Sequence, residues 1–156
     1  MSDSRLAQIQ LSLVDRLKTI TSANGYRTDV QKVFSDEIPM GLSLDSFEIP
    51  AILVITGISD VKYEVGCLNV KTLFELQLIH KSTVGDSAMN NFAGDVARAI
   101  HANSPTLKRN DAFREFDGKP TSFRLIEIET DLNMIDENRF YCMTWEAAFH
   151  AHPTDL

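Results

Sequence analysis

The side chains that could do chemistry are few, and the histidines come first. His150 and His152 lie two residues apart near the end of the chain, so in a strand they would share one face. Imidazole binds zinc, but a zinc site needs three or four ligands, and His80 and His101 are distant in sequence. The histidines therefore predict no metal site.

A pair of glutamates also shares one face of a predicted strand. Glu127 and Glu129 are two residues apart, and paired carboxylates perform acid–base catalysis when burial separates their pKa values. They alternate with Ile126 and Ile128, which we expect to be buried. The glutamates are therefore expected to face solvent, and they predict no catalytic site.

Motifs for nucleophilic or phosphate chemistry are missing. No serine occupies a nucleophile elbow, neither Cys67 nor Cys142 has a histidine nearby in sequence, and the seven glycines form no phosphate-binding loop. Each cysteine lies in a strand-like run, which predicts two buried free thiols rather than a disulfide. We expect no enzyme activity, no cofactor and no metal.

Length and charge narrow the class of protein further. The 156 residues, 44% hydrophobic and 24% charged, suffice for one domain with an ordinary core. No apolar run is long enough to span a bilayer and no signal peptide is evident, so a soluble, non-secreted protein is expected. The formal net charge of -7 opposes non-specific binding to nucleic acid, and the basic residues around Lys108-Arg109 are interleaved with acids as in a solvated loop.

The first predicted element is an amphipathic helix near the N-terminus. We expect Asn24-Gly25 to end this helix, because glycine tolerates the left-handed backbone of a C-cap. The residues from Tyr26 to Phe34 are rich in β-formers and predict a short strand that joins the sheet. The apolar stripe of the helix consists of Leu6, Ile9, Leu13, Leu17 and Ile20.

A long connection is predicted next, over residues 35–49. It carries apolar residues without a sustained period, and exposed apolar clusters usually mark a contact surface. The alternative that the connection folds back onto its own core is equally open. The apolar residues are Ile38, Met40, Leu42, Leu44 and Phe47.

The rest of the chain predicts strands around a second helix. Residues 50–57 form an apolar strand buried on both sides, residues 57–66 a turn or the distal part of a hairpin, and residues 70–80 a half-buried strand. Asp86 or Ser87 is expected to cap the second helix. After a loop at 105–120, two alternating runs at 126–132 and 141–149 form a hairpin joined by Asp136-Glu137-Asn138. The buried face of the second helix consists of Met89, Phe92, Val96, Ala99 and Ile100, and that of the last strand consists of Tyr141, Met143, Trp145, Ala147 and Phe149.

This order of elements predicts the fold class. It lacks the regular alternation of strands and helices that a parallel sheet requires. We therefore expect an α+β fold in a single domain over residues 1–156, with a mainly antiparallel sheet and two main helices packed on one face. Internal repeats are absent.

The chain resembles a known family in this order of elements. A helix leading through LKTITSANGYRTDVQKVF to a loop and then IPAILV is similar to the tail terminator, or tail completion, proteins of long-tailed bacteriophages. The pattern continues with a strand like KTLFELQLIH, a helix like NNFAGDVARAIHAN, and a hairpin like RLIEIETDL with FYCMTWEAAF. The resemblance spans nearly the whole chain and rests on structural residues. The long loops at about 35–49 and 105–120 depart from it.

The resemblance implies a structural virion protein. It implies a homo-hexameric ring at the head-proximal end of the phage tail, assembled in the host cytoplasm, that caps the tail tube, ends its polymerisation and offers a surface to the head-tail connector protein. It implies no catalysis, no cofactor and no membrane, with DNA passing through the lumen without specific binding. A negative lumen would not grip DNA, and a lumen lined with Lys and Arg would contradict that hypothesis.

The implied ring also predicts contact faces between its subunits. A ring needs two unlike contact faces on each subunit. The sheet edge and the apolar residues of the 35–49 connection are the candidate faces, and Arg27 and Asp29 are predicted to be structural or inter-subunit residues. A head-tail connector or neck protein, or a small-molecule-binding α+β domain, are the alternatives. The second alternative would require a pocket with convergent polar groups.

Overall fold

The described part of the chain contains two α-helices, one short 3₁₀ helix and five strands. The structure is a computed structural model, and it describes residues 4–35, 48–81, 83–101, 121–130 and 138–154. The predicted connections at 35–49 and 105–120 lie almost entirely outside these residues, and the turn at Asp136-Glu137 lies wholly outside them. The elements are α1 (Arg5–Leu17), β1 (Lys32–Ser35), β2 (Ala51–Glu64), β3 (Cys67–Lys81), α2 (Asp86–Ile100), β4 (Thr121–Thr130) and β5 (Asn138–Ala151).

The strands form one sheet in the order β1-β2-β3-β5-β4. β1 is parallel to β2, and the other three pairings are antiparallel. Both helices contribute to one hydrophobic cluster with the same face of the sheet. The predicted α+β class, with a mainly antiparallel sheet and both helices on one face, is confirmed.

Strict alternation in the two central strands builds this core. Phe74 in β3 lies opposite Trp145 in β5, and Leu76 lies opposite Met143, and all four side chains are fully buried. The intervening residues of β3 face the other side of the sheet. At the start of β2 that other side is apolar as well, since Ala51 and Leu53 form a second cluster with Phe34 and Ile79. The predicted two-sided burial of this strand is confirmed at Ala51–Val54.

The first helix ends earlier than the sequence predicted. Ser4 caps its N-terminus by accepting a hydrogen bond from the N–H of Ala7 at 3.2 Å, and the helix stops at Leu17. The carbonyl of Arg16 then accepts both the hydroxyl of Thr19 at 2.6 Å and its N–H at 3.2 Å, and the N–H of Ile20 donates to the carbonyl of Leu17, so the chain tightens from α-helical to three-residue bonds. Asn24-Gly25 does not cap this helix. It closes a separate 3₁₀ helix, Ser22–Asn24, in which Gly25 is left-handed with φ 85°.

The strand predicted from Tyr26 to Phe34 was wrong over its first half. Only Lys32–Ser35 pairs with β2. The N–H groups of Arg27 and Thr28 donate to the carboxylate of Asp95, and that of Val30 donates to the carbonyl of Ile20 at 2.9 Å. These bonds take the backbone donors that a sheet ladder would use.

The cap of the second helix was also predicted wrongly. The N-cap is Gly85, and neither Asp86 nor Ser87 occupies that position. Asp86 lies in the first turn, where its carboxylate pairs with Arg139 at 2.8 Å. An acid in the first turn is stabilised there by the helix dipole as well. The predicted apolar face is confirmed, since Met89, Phe92, Val96, Ala99 and Ile100 are all buried.

Two further predictions concern the β2–β3 hairpin and the burial of β4. The stretch at 57–66 is the distal part of a hairpin, because β2 continues to Glu64 and the chain turns at positions 65 and 66.

The expected burial of Ile126 and Ile128 in β4 was wrong, since they are 46% and 42% exposed. A bulge between Leu125 and Glu127 leaves Ile126 without a partner on β5. The strand also lies at the edge of the sheet, where less protein covers it.

The left-handed backbone at Gly25 gives a first prediction. Replacing Gly25 with valine is expected to lower the free energy of unfolding by about 1 kcal/mol or more, because a β-branched residue is strained at positive φ. Thermal or urea unfolding followed by circular dichroism measures the change.

Gly94 supplies the matched control for that substitution. It lies in α2 at an exposed position, and a Cβ built there meets nothing within 4 Å. Gly94→Ala is expected to raise the free energy of unfolding by about 0.5–1 kcal/mol through helix propensity. Unfolding of Gly25→Val at the wild-type midpoint would show that the left-handed turn does not constrain the fold.

Candidate interaction surfaces

Arg27 and Asp29 lie on the segment between the 3₁₀ helix and β1. The guanidinium of Arg27 donates to Oδ1 of Asn91 at 2.9 Å. Oδ1 of Asp29 accepts a hydrogen bond from the N–H of Ser22 at 2.6 Å, and the hydrogen bonds from Ser22 hold the pKa of this exposed carboxyl below its usual value. Both side chains therefore have structural roles within the chain. Their predicted inter-subunit role stays a prediction.

A cavity of about 330 Å³ opens beside these two residues, and it also contacts His80 and Asn91. Nδ1 of His80 accepts the N–H of Lys81 at 2.8 Å, and its ring stands edge-on to Phe92 with centroids 6.3 Å apart. Burial, and then the charge of Lys81, lower the pKa of His80. The side chains of Arg27, Asp29 and His80 that line this cavity each hydrogen-bond a neighbour in the same chain.

The residue that organises this region is Asp95, which sequence reasoning missed. Its side chain is 2% exposed and accepts the N–H groups of Arg27 at 2.9 Å and Thr28 at 2.8 Å. Arg98 lies 3.4 Å from the same carboxylate and also reaches the carbonyl of Gly25. The sequence did contain a signal for this role, because Asp95 lies beside Val96 on the buried face of α2.

The other predicted contact residues belong to the 35–49 connection. Ile38, Met40, Leu42, Leu44 and Phe47 all lie outside the described residues. Their predicted role in a subunit or partner interface stays a prediction.

The structure instead exposes large apolar side chains on the β2–β3 hairpin. We call residues 57–66 the hairpin arm. Ile58 is 81% exposed, Tyr63 is 82% exposed, and Val65 at the turn is fully exposed. Three large apolar side chains in water on one short segment are typical of a contact surface. Sequence reasoning missed them, because Asp60 and Lys62 made residues 57–66 look like a polar turn.

A second exposed surface follows the outer side of β4, which we call the β4 edge. β4 pairs only with β5, and among the described residues no strand lies on its other side. Ile126 and Ile128 are exposed there, and Arg124 reaches Glu146 on β5 at 3.3 Å. Sheet edges with unpaired backbone groups are ready to pair with another strand.

The two cysteines are free thiols, as predicted, although both are half-buried rather than buried. Burial raises the pKa of Cys142 to about 11, and the nearby carboxylates of Glu75, Glu129 and Glu127 add to the effect. The sheet face opposite the helices therefore carries an acidic band around this thiol. A thiol of this kind is a poor nucleophile at neutral pH.

This pKa gives a second prediction. In a Cys67→Ser variant, the remaining Cys142 is expected to react with a disulfide reagent at pH 8 about a hundredfold more slowly than a free cysteine, because little thiolate is present. The rate should rise with pH towards a midpoint near 11. Stopped-flow absorbance from pH 7 to 10 measures the profile, which should still be rising about tenfold per pH unit at the end of that range, and Cys142→Ser with Cys67 intact is the control. A midpoint near 8.5 would contradict the expected environment of Cys142.

Among the described residues there is neither a metal-binding cluster nor a membrane-spanning helix. No group of three or more His, Cys, Asp and Glu side chains within the described ranges could hold a metal ion. None of the helices in the described part of the chain has the length and apolar character needed to cross a membrane.

Comparison with known proteins gives one informative finding. No protein-family model and no curated protein matches the chain. Among solved structures, the chain is similar to a chain of the structure described as "Virion of native gene transfer agent (GTA) particle". The similarity has a TM-score of 0.50 at 14% sequence identity, and it covers 95% of this chain and 96% of that chain. The two chains therefore share a fold over nearly their whole length.

Proposed function

We propose that this protein is a structural virion subunit that forms a ring on the end of a phage tail tube, ends tube polymerisation and provides the surface for joining the head. The observation that carries the proposal is the fold shared, over 95% of the chain, with a chain of a gene transfer agent virion. The resemblance of the sequence to tail terminator proteins selects this role among virion proteins.

The exposed surfaces support a ring. A closed ring needs a heterologous interface, in which two different patches of each subunit meet. The hairpin arm and the β4 edge are two such patches, since they lie towards opposite edges of the sheet and both expose apolar side chains. The number of six subunits comes from the resemblance.

The remaining features of the proposal follow from this role. The proposed partners are further copies of this chain, the tail tube protein and the head-tail connector protein, at the head-proximal end of the tail after assembly in the host cytoplasm. No catalysis and no cofactor are required. The net charge of -7 disfavours a tight grip on DNA that passes through the lumen.

The test is the native mass of the protein alone and mixed with tail tubes from the same source, measured by light scattering after size exclusion. A hexamer, or a monomer that becomes a ring on tubes, is the expected result. A ring that binds head connectors but ignores tubes would favour the connector role. A monomer indifferent to tubes and connectors would contradict the proposal.

A functional assay adds a control for specific capping. Tube protein polymerised with increasing amounts of this protein should give shorter tubes in electron micrographs, each with extra density at one end. Serum albumin at the same concentration is an acidic control protein that should leave the tubes unchanged. Unaltered tube lengths at saturating protein would contradict termination even if a ring forms.

A further inference from the structure

The sheet has two long unpaired strand edges, one on each side. β1 pairs with only four residues of β2, Ala51–Val54, so ten of the 14 residues of β2, at 55–64, have no strand on their outer side within the described ranges. On the opposite side, β4 is ten residues long and is paired only with β5. The two edges are equal in length.

Both edges are open to solvent. The outer part of β2 is largely exposed from 57 to 64, and β4 is exposed from Ile126 to Thr130. Ile58 and Tyr63 on one edge, with Ile126 and Ile128 on the other, leave large apolar side chains in water. Proteins normally protect such edges, because unpaired backbone groups beside apolar side chains recruit another strand.

The strand directions make the two edges compatible. β2, β3, β5 and β4 are antiparallel in succession, so β4 runs opposite to β2. A rotation that continues the sheet into a second copy therefore places β2 of that copy antiparallel to β4 of the first. Antiparallel ladders join such strands directly.

We propose that the ring is closed by strand pairing, with the β4 edge of one copy bound along the hairpin arm of the next copy of this chain. This inference rests on the proposed ring and specifies its interface. It gives each subunit one donor edge and one acceptor edge, which is the head-to-tail arrangement that ring closure requires.

The faces of the strands limit the possible registers. Arg124 and Glu127 face the side opposite the helices, since their neighbours on β5 are Glu146 and Thr144. Lys62 and Glu64 face that same side, since they pair with Asn69 and Cys67 of β3. Continuing the sheet must place like faces together, so the allowed registers differ by steps of two residues.

One of these registers is complementary in charge. With Arg124 opposite Glu64, the bulge at Ile126 places Glu127 opposite Lys62, which gives two pairs of opposite charge. Only Glu129 then meets a like charge, that of Asp60. On the other face the same register brings Leu125 to Tyr63 and Ile128 to Val61.

The neighbouring registers are poorer. A shift of two residues one way places Arg124 opposite Lys62 and Glu127 opposite Asp60, which gives two like-charge pairs. A shift the other way places Glu127 opposite Glu64 and Glu129 opposite Lys62, so one like-charge pair cancels one opposite-charge pair, and Arg124 loses its acidic partner. Like charges directly opposite each other destabilise a strand pair, so charge selects the first register.

Charge reversal at Lys62 and Glu127 tests the pairing. Lys62→Glu and Glu127→Lys each create a like-charge contact in every interface, and each is expected to weaken self-association about tenfold per interface. The double variant restores an opposite pair with its sign exchanged and should recover the association. Asp15→Lys, a charge reversal at an exposed position of α1, is the matched control and should leave association unchanged.

Sedimentation velocity over a range of concentrations measures association of the protein alone, and pelleting with tubes measures it if the ring forms only there. Thermal unfolding of each variant verifies that the subunit is folded. Weakened single variants with a restored double variant support strand pairing. A wild-type ring that tolerates both single variants, a double variant weaker than either single variant, or a symmetric dimer overturns it and leaves ring formation to another surface. A wild-type monomer under all conditions instead contradicts the proposed function, and the interface with it.

Discussion

Replacing Asp95 with alanine is expected to lower the free energy of unfolding by about 3 kcal/mol, because the substitution leaves two backbone N–H donors without their acceptor. Asp95 is 2% exposed and accepts hydrogen bonds from the N–H groups of Arg27 and Thr28 at 2.9 and 2.8 Å. Hydrogen bonds to a charged acceptor are stronger than neutral ones, and an unsatisfied buried donor pays its full desolvation cost.

The effect should extend beyond one contact. Asp95 anchors the segment that leads from Gly25 to β1, and Arg98 reaches the same segment at the carbonyl of Gly25. The same substitution also leaves Arg98 without the carboxylate that lies 3.4 Å away. Loosening this segment is therefore expected to free β1 from the edge of β2 before the central strands unfold, which hydrogen exchange of the amides of Lys32–Ser35 would show.

Two further substitutions provide comparisons for Asp95→Ala: one removes only the charge of Asp95, and the other removes an exposed acid elsewhere. Asp95→Asn keeps one carbonyl oxygen as an acceptor and should cost about half as much as alanine. Asp15→Ala removes an exposed acid of α1 and should change the free energy of unfolding by less than about 0.5 kcal/mol. Urea unfolding measures all three. An Asp95→Ala protein as stable as Asp15→Ala would show that water satisfies the two amides and that the anchor contributes nothing.

The sequence predicted the elements that bury a regular pattern. The alternation of β3 and β5 identified Phe74, Leu76, Met143 and Trp145 as core residues, because period two allows only one face inside. The stripe of α2 was equally informative. These patterns follow from the periodicity of a strand or a helix, so one sequence is enough to predict them.

Two of the failures involve partners that are distant in sequence or an irregularity that the pattern does not carry. The sequence could not show that Asp95 takes the amides of Arg27 and Thr28, so a strand was expected where those amides are already used. It could not show the bulge at Ile126, which moves that side chain out of register. Both errors lie next to the candidate surfaces, where β1 and β4 form the edges of the sheet.

The second large effect concerns Trp145, the single tryptophan of the chain. It is fully buried in β5 between Phe74 on β3 and Leu125 on β4, and its ring lies 5.5 Å from that of His101. Trp145→Ala is expected to lower the free energy of unfolding by about 4 kcal/mol through the cavity that it leaves. Circular dichroism must follow the unfolding, since the variant loses its tryptophan fluorescence.

Phenylalanine at the same position separates volume from polarity. The indole Nε1 of Trp145 is buried without a hydrogen-bond partner among the described residues, so Trp145→Phe removes an unsatisfied donor together with part of the ring. The expected loss is only about 1 kcal/mol. A loss equal to that of alanine would mean that the indole N–H is satisfied and stabilising.

Tyr63→Ala completes the comparison, because it truncates an aromatic side chain that is 82% exposed. In the monomer it should change the free energy of unfolding by less than about 0.5 kcal/mol. If the hairpin arm pairs with the β4 edge of a neighbour, the same variant should weaken self-association while its unfolding at low concentration stays unchanged. Destabilisation of the monomer by Tyr63→Ala would show instead that the hairpin arm packs within its own chain.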